Sequence, residues 1–259
     1  MTKLQIIVVS STILLFVGMY FGLETKPDKQ KAVEKSRAIE AESTDINALL
    51  NDAKSKLSTE KSTLFLSLEA ELNETQNDSA RVEILKELSG SWYRQERVEI
   101  SGFYAESIAE IENNDEAWSI AGTTYAIGVQ KAKEEKIRQF CFGRAVMAFE
   151  NAISLNPSNS THKVNLAVCY VENPLPENPM KGILMLRDLI EKEPENVLVL
   201  TTLARFAIQT GQFEKAIERL QKAISIESEN EKANCLLAQA YQGIGDQEQA
   251  AIYTTKCNH

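Results

Sequence analysis

Histidine and cysteine are the side chains best suited to nucleophilic, metal or acid–base chemistry at neutral pH. This chain has few of them: His162 and His259, with Cys141, Cys169, Cys235 and Cys257. A zinc site is built from closely spaced pairs such as Cys-x-x-Cys, so that neighbouring ligands reach one ion. The cysteines here are 28, 66 and 22 residues apart and form no such pair. They read as small buried apolar residues. A disulfide framework belongs to shorter chains richer in cysteine. A nucleophilic cysteine needs a general base within reach. His259 is the last residue, where chain ends fray, and His162 falls at a helix position expected to be exposed. No HExxH, GxSxG, GxGxxG or GK[ST] motif occurs, and the acidic pair Glu134-Glu135 lies in a charged helical run with the pattern of a solvated face. No enzyme activity, cofactor or metal is therefore expected. Against 28 Lys and Arg stand 37 Asp and Glu, a formal net charge of −9. That lacks the basic footprint that phosphate binding requires, which excludes a nucleic-acid partner.

The elements that position these residues are marked by a repeat. Residues 197–230 read VLVLTTLARFAIQTGQFEKAIERLQKAISIESEN, and residues 231–259 echo them. Leu203 recurs as Leu237, Ala204 as Ala238, Gly211 as Gly245 and Ala216 as Ala250, each at an offset of 34. A fixed period of this length, carried by residues that pack helices, marks a solenoid of helix pairs, each unit burying its apolar face against the next.

The pattern resembles the tetratricopeptide (TPR) repeat. That resemblance implies an all-α, TPR-like α-solenoid of about five helix hairpins. Small residues stand where helices A and B of a hairpin approach most closely, larger ones fill the gap between hairpins, and a proline stops helix B. Upstream units fit with irregularities. Residues 82–114 carry Leu85, Leu88, Trp92 and Ala105. Residues 115–159 carry Trp118, Gly122, Tyr125, Ala145, Phe149, Ala152 and Pro157. This second unit holds 11 extra residues, without proline, which lengthen both of its helices. Residues 160–196 carry Ala167, Tyr170, Gly182 and Pro194, with three prolines in the connection VENPLPENPM. The solenoid is thus expected over 82–259, in units 82–114, 115–159, 160–196, 197–230 and 231–259.

Upstream of the repeats, residues 44–81 have helical spacing in Ile46, Leu49, Leu50, Ala53 and Leu57, then in Leu64, Leu68 and Leu72. They are expected as a helical hairpin capping the array. Residues 24–43 are a charged tether. Residues 4–23 hold no charge over 20 positions, the length of a helix that crosses a ~30 Å hydrocarbon layer. Residues 1–23 are therefore expected as an N-terminal transmembrane anchor. Lys26, Lys29, Lys31, Lys35 and Arg37 follow the span, but long domains translocate largely regardless of such charges, so the side of the membrane stays open. The architecture is similar to that of bacterial inner-membrane TPR proteins that assist the assembly or quality control of membrane-associated complexes.

In the family, positions 2, 5, 9, 12 and 13 of helix A line a concave groove. Carried onto this chain, they and their neighbours give Thr123, Val164, Val168, Thr201, Arg205, Ile208 and Gln239 as a peptide groove, apolar in its middle. The carboxylate-binding subgroup is not matched: Asn165 and Arg205 are its candidate residues in the central units, and Leu198 and Thr202 stand where that subgroup needs cations. The array ends inside helix B of the last unit, so Leu236, Leu237, Ala240 and Ile252 are expected to be partly bare and to contact another protomer or a partner. These features imply a membrane-anchored scaffold or adaptor for protein partners. The alternative is a chaperone-like or receptor protein holding unfolded or translocating chains at the membrane.

Overall fold

The computed structural model describes residues 45–257. Among them lie twelve α-helices: α1 (Ile46–Ser55), α2 (Thr59–Glu74), α3 (Asp78–Arg94), α4 (Val98–Glu112), α5 (Asp115–Lys131), α6 (Glu135–Leu155), α7 (Ser160–Glu172), α8 (Lys181–Lys192), α9 (Val197–Gln209), α10 (Phe213–Ile226), α11 (Glu231–Ile244) and α12 (Gln247–Cys257). From α3 onward they form consecutive antiparallel hairpins, each packed on the next. No strand occurs among the described residues; Leu175 and Asn178 make one isolated bridge in the α7–α8 connection.

Two local signals alternate along the array. The first helix of every hairpin begins at an asparagine. Asn77, Asn114, Asn159, Asn196 and Asn230 each turn a side-chain oxygen onto a backbone N–H of the first turn, at 2.8–3.1 Å. This satisfies a donor that the helix itself leaves unpaired. The second helices α4, α6, α8 and α10 begin at Arg97, Glu134, Met180 and Gln212 without a side-chain cap. Their starts are set by tight turns and by packing. Gly211 and Gly245 hold φ of +72° and +83° in the last two turns, a region open to glycine without steric cost. The recurrence of glycine at 34 residues is thus a backbone requirement.

The core is a chain of local clusters. Small residues let the helices approach: a Cβ on Gly122 would stand 2.7 Å from the Phe149 ring, and one on Gly182 would collide with the Ala167 carbonyl oxygen. At the N-terminal end Phe65 stacks on Trp92 with ring centroids 4.2 Å apart, among Leu50, Leu68, Leu85, Leu88 and Ile100. Burial of each such side chain contributes about 1.5–3 kcal/mol. Here α1 lies against α4 and α2 against α3, joined by an ion pair of 2.7 Å between Lys54 and Glu69. The second hairpin is the longest, with α5 of 17 and α6 of 21 residues against 13 and 14 in α9 and α10. The extra residues extend both helices.

Three expectations are corrected. Among the described residues no helix is long and apolar enough to cross a membrane, and this overturns the single-pass bacterial inner-membrane localisation. The span expected over 4–23 and the tether over 24–43 lie outside the described residues, as does His259. The cysteines divide into two kinds. Cys141 and Cys169 are free and buried, whereas Cys235 and Cys257 form a disulfide with Cα atoms 4.7 Å apart. Antiparallel packing of α11 and α12 brings these two together across a separation of 22 residues, which spacing alone does not show. Finally, Leu236, Leu237 and Ala240 are interior, in a cluster that α11 shares with α9, α10 and α12; Ile252 alone of the four expected surface residues is exposed.

Candidate functional site

The first helices of successive hairpins lie side by side. From the second hairpin on, α5 touches α7, α7 touches α9 and α9 touches α11. Their shared face is built from equivalent positions of successive hairpins, and polar side chains bridge it from helix to helix. Lys131 on α5 sits 5.1 Å from the ring centroid of Tyr93 on α3. Gln130 on α5 donates to Glu172 on α7 at 2.9 Å. Arg205 on α9 pairs with the other carboxylate oxygen of Glu172 at 3.2 Å and lies over the Phe206 ring, 4.4 Å from its centroid. These contacts fix the relative pitch of four helices. All of these side chains sit near the C-terminal ends of their helices, along one edge of the face.

Five of the seven expected groove residues are accessible on these helices. Thr123 and Gln239 are exposed, and Val168, Arg205 and Ile208 are half-buried. Thr123 spends its hydroxyl on the Ser119 carbonyl at 2.8 Å. The other two are interior. Val164 packs with Val199 and Leu203 in the cluster between the third and fourth hairpins. Thr201 is 2% exposed and donates to the Val197 carbonyl at 2.9 Å. Close approach of α7 and α9 removes Val164 from the surface. Ile120, 63% exposed on α5, is the most open large apolar side chain among the described residues, and position rules borrowed from the family pass it by.

Buried polar clusters lie between the hairpins. His162, expected at the surface, is 2% exposed. Its Nε2 is 2.8 Å from Asp115 Oδ2, and the same oxygen accepts from Asn156 at 2.9 Å. The hydrogen bond from His162, then that from Asn156, holds the Asp115 carboxyl below its ordinary range. One hairpin on, Glu193 accepts from the Ser160 hydroxyl and, at 2.7 Å, from Asn196; these bonds, Ser160 first, hold its carboxyl low as well. His162 and Ser160 thus belong to separate sets: the first ties the starts of α5 and α7 to the α6–α7 connection, the second ties the start of α7 to the α8–α9 connection. A third cluster joins α4, α5 and α6. Glu106, 6% exposed, accepts from the Tyr125 hydroxyl at 2.7 Å and from Arg144 at 2.9 Å. Burial, then the charge of Glu106, pushes the Tyr125 hydroxyl far above its usual range. The free thiols of Cys141 and Cys169 are each pushed up to about 12, chiefly by burial, which leaves them unreactive at neutral pH.

Comparison with known proteins agrees with the repeat geometry. A family model described as tetratricopeptide repeat matches residues 181–223, and another described as TPR repeat matches 208–245. No curated protein matches the chain in sequence. Among solved structures, MamA 41-end from Desulfovibrio magneticus RS-1 is similar, with 20% identity and a TM-score of 0.43 over 68% of this chain and 93% of that one. A crystal structure of MamA protein aligns with 18% identity and a TM-score of 0.42, over 68% of this chain and 89% of that one. The matched stretches cover helices α8 to α11, where the 34-residue period is regular, and over residues 181–245 the chain carries tetratricopeptide repeats.

Proposed function

We propose that this protein is a scaffold that holds a peptide segment of a protein partner along the shared face of α5, α7, α9 and α11. In this reading five hairpins form the array, and α1 and α2 cover its first end. The observation that carries it is the composition of that face. Rigid, bridged helices present exposed Thr123, Ile120 and Gln239 beside half-buried Val168, Arg205 and Ile208. Apolar side chains in small numbers, flanked by fixed hydrogen-bonding groups, suit an extended or helical peptide with alternating apolar contacts. Pre-ordered helices also lower the entropic cost of binding.

The test uses the full chain as bait for a displayed library of unstructured peptides. Selected peptides are expected to lose affinity at least tenfold against Arg205→Glu, which reverses charge on the face, and to bind Glu218→Lys unchanged. Glu218 is exposed on α10, a second helix outside the face. Equal loss in both variants, or none in either, would reject this face as the binding surface.

A further inference from the structure

We propose that the Cys235–Cys257 bond is a redox-operated latch that holds α12 closed against α11 in the last hairpin. Of the eleven residues of α12, Ala250 alone is fully buried. Tyr253 is half-buried and stacks on Tyr241 with centroids 5.6 Å apart. Yet this sparsely anchored helix closes the last hairpin, with Ala250 and Tyr253 packed into the cluster that holds Leu237 and Tyr241 of α11. The disulfide joins the last residue of α12 to the second turn of α11, so it restrains the end most prone to fraying.

Access and isolation suit such a role. Cys235 and Cys257 are half-exposed, so a small dithiol reaches the bond. Cys141 and Cys169 are buried in the α5–α7 region and stand outside the exchange. A reduced dithiol supplies the electrons. Its thiolate attacks one sulfur of the bond, a mixed disulfide forms, and the other protein sulfur leaves as a thiolate that takes up a proton. The second thiol of the reductant then displaces the remaining protein sulfur. The reductant becomes a cyclic disulfide, and two electrons and two protons end on Cys235 and Cys257. With the covalent tie gone, α12 rests on its few side-chain contacts and opens from its C-terminal end, uncovering Tyr241 and the edge of the apolar cluster that Ala250 and Tyr253 close.

Hydrogen exchange on the full chain, oxidised and after dithiothreitol, tests the latch. Amides of 247–257 are expected to exchange at least tenfold faster after reduction, while those of α4 to α6 keep their rates. Iodoacetamide applied under native conditions should modify Cys235 and Cys257 only in the reduced protein. The double variant Cys235→Ser, Cys257→Ser should match the reduced protein with or without dithiothreitol; if it fails to fold, the wild-type reduction experiment alone decides. Three results would overturn the proposal. One is an unchanged exchange rate in α12. Another is acceleration spread evenly over all helices, which marks a clamp on the whole fold. The third is four free thiols in the air-oxidised protein.

Discussion

The two ends of the array solve the same packing problem differently. From α8 to α12 the hairpins follow the 34-residue period, small alanines such as Ala204, Ala216, Ala223 and Ala240 let the helices approach, and the buried side chains are almost all aliphatic. From α1 to α6 the units vary in length, and the interior relies on large rings and on charge. Phe65, Trp92, Tyr125 and Phe149 are among the largest fully buried side chains, and Glu106 is held inside by Tyr125 and Arg144. The second helices α4 and α6 touch each other there, while further along it is the first helices that touch. A repeat keeps its period only where each contact is generic. Where one unit is longer, its neighbours need specific partners, and the sequence drifts away from the family pattern. The family models accordingly match 181–245 and leave the first half unmatched.

The largest effect that would sharpen this contrast is loss of a core ring. Trp92→Ala should cost about 4 kcal/mol and Leu220→Ala about 3 kcal/mol, read from urea unfolding. In an array each unit contacts mainly its neighbours, so hydrogen exchange should accelerate in α1 to α4 for Trp92→Ala and in α9 to α12 for Leu220→Ala. Equal acceleration of both ends by either variant would show a single cooperative unit and break the comparison. Next in size, Gly122→Leu forces a side chain into the space of the Phe149 ring and should cost about 1–3 kcal/mol through overpacking. An unchanged melting temperature would mean that α5 and α6 do not approach there as described. The smallest effects concern a device both ends share. Asn114→Ala and Asn230→Ala should each cost about 1 kcal/mol, since each removes a helix cap. Gln212→Ala should fall within about 0.5 kcal/mol, the usual range for surface changes away from such features. A silent Asn114 beside a costly Asn230 would show that capping matters only in the regular half.

Much of this architecture is written in residues close together in the chain. The offsets of 34, the glycines at 211 and 245, and the extra length between Gly122 and Ala145 are local, and each becomes a helix, a turn or a longer hairpin. What local pattern does not carry is contact between distant residues. His162 is buried against Asp115, 47 positions earlier, whose Oδ2 it shares with Asn156. Val164 faces inward because α7 and α9 are close, and a position rule averaged over a family does not encode that distance. Leu236 and Leu237 are covered because α9, α10 and α12 converge on α11 in one cluster, and the last of these helices is tied back by Cys257. The recurring asparagine caps were legible in principle: Asn196 and Asn230 share the 34-residue offset of the leucines and alanines, but Asn77, Asn114 and Asn159 do not, and a search by fixed period passes them over.

Those caps carry an evolutionary consequence. Asn196 and Asn230 hold the same place in consecutive hairpins, each one residue before a first helix. Excising residues 197–230 would join Asn196 directly to Glu231 and recreate a capped helix start at the seam; duplicating them would do the same twice. Gene-level gain or loss between two such asparagines changes the length of the array by one whole hairpin while every remaining helix keeps its start, its turn and its neighbour's spacing. The regular end of this chain is therefore the part that recombination can lengthen or trim, and the irregular end, bound by its particular rings and buried charges, is the part that must descend intact.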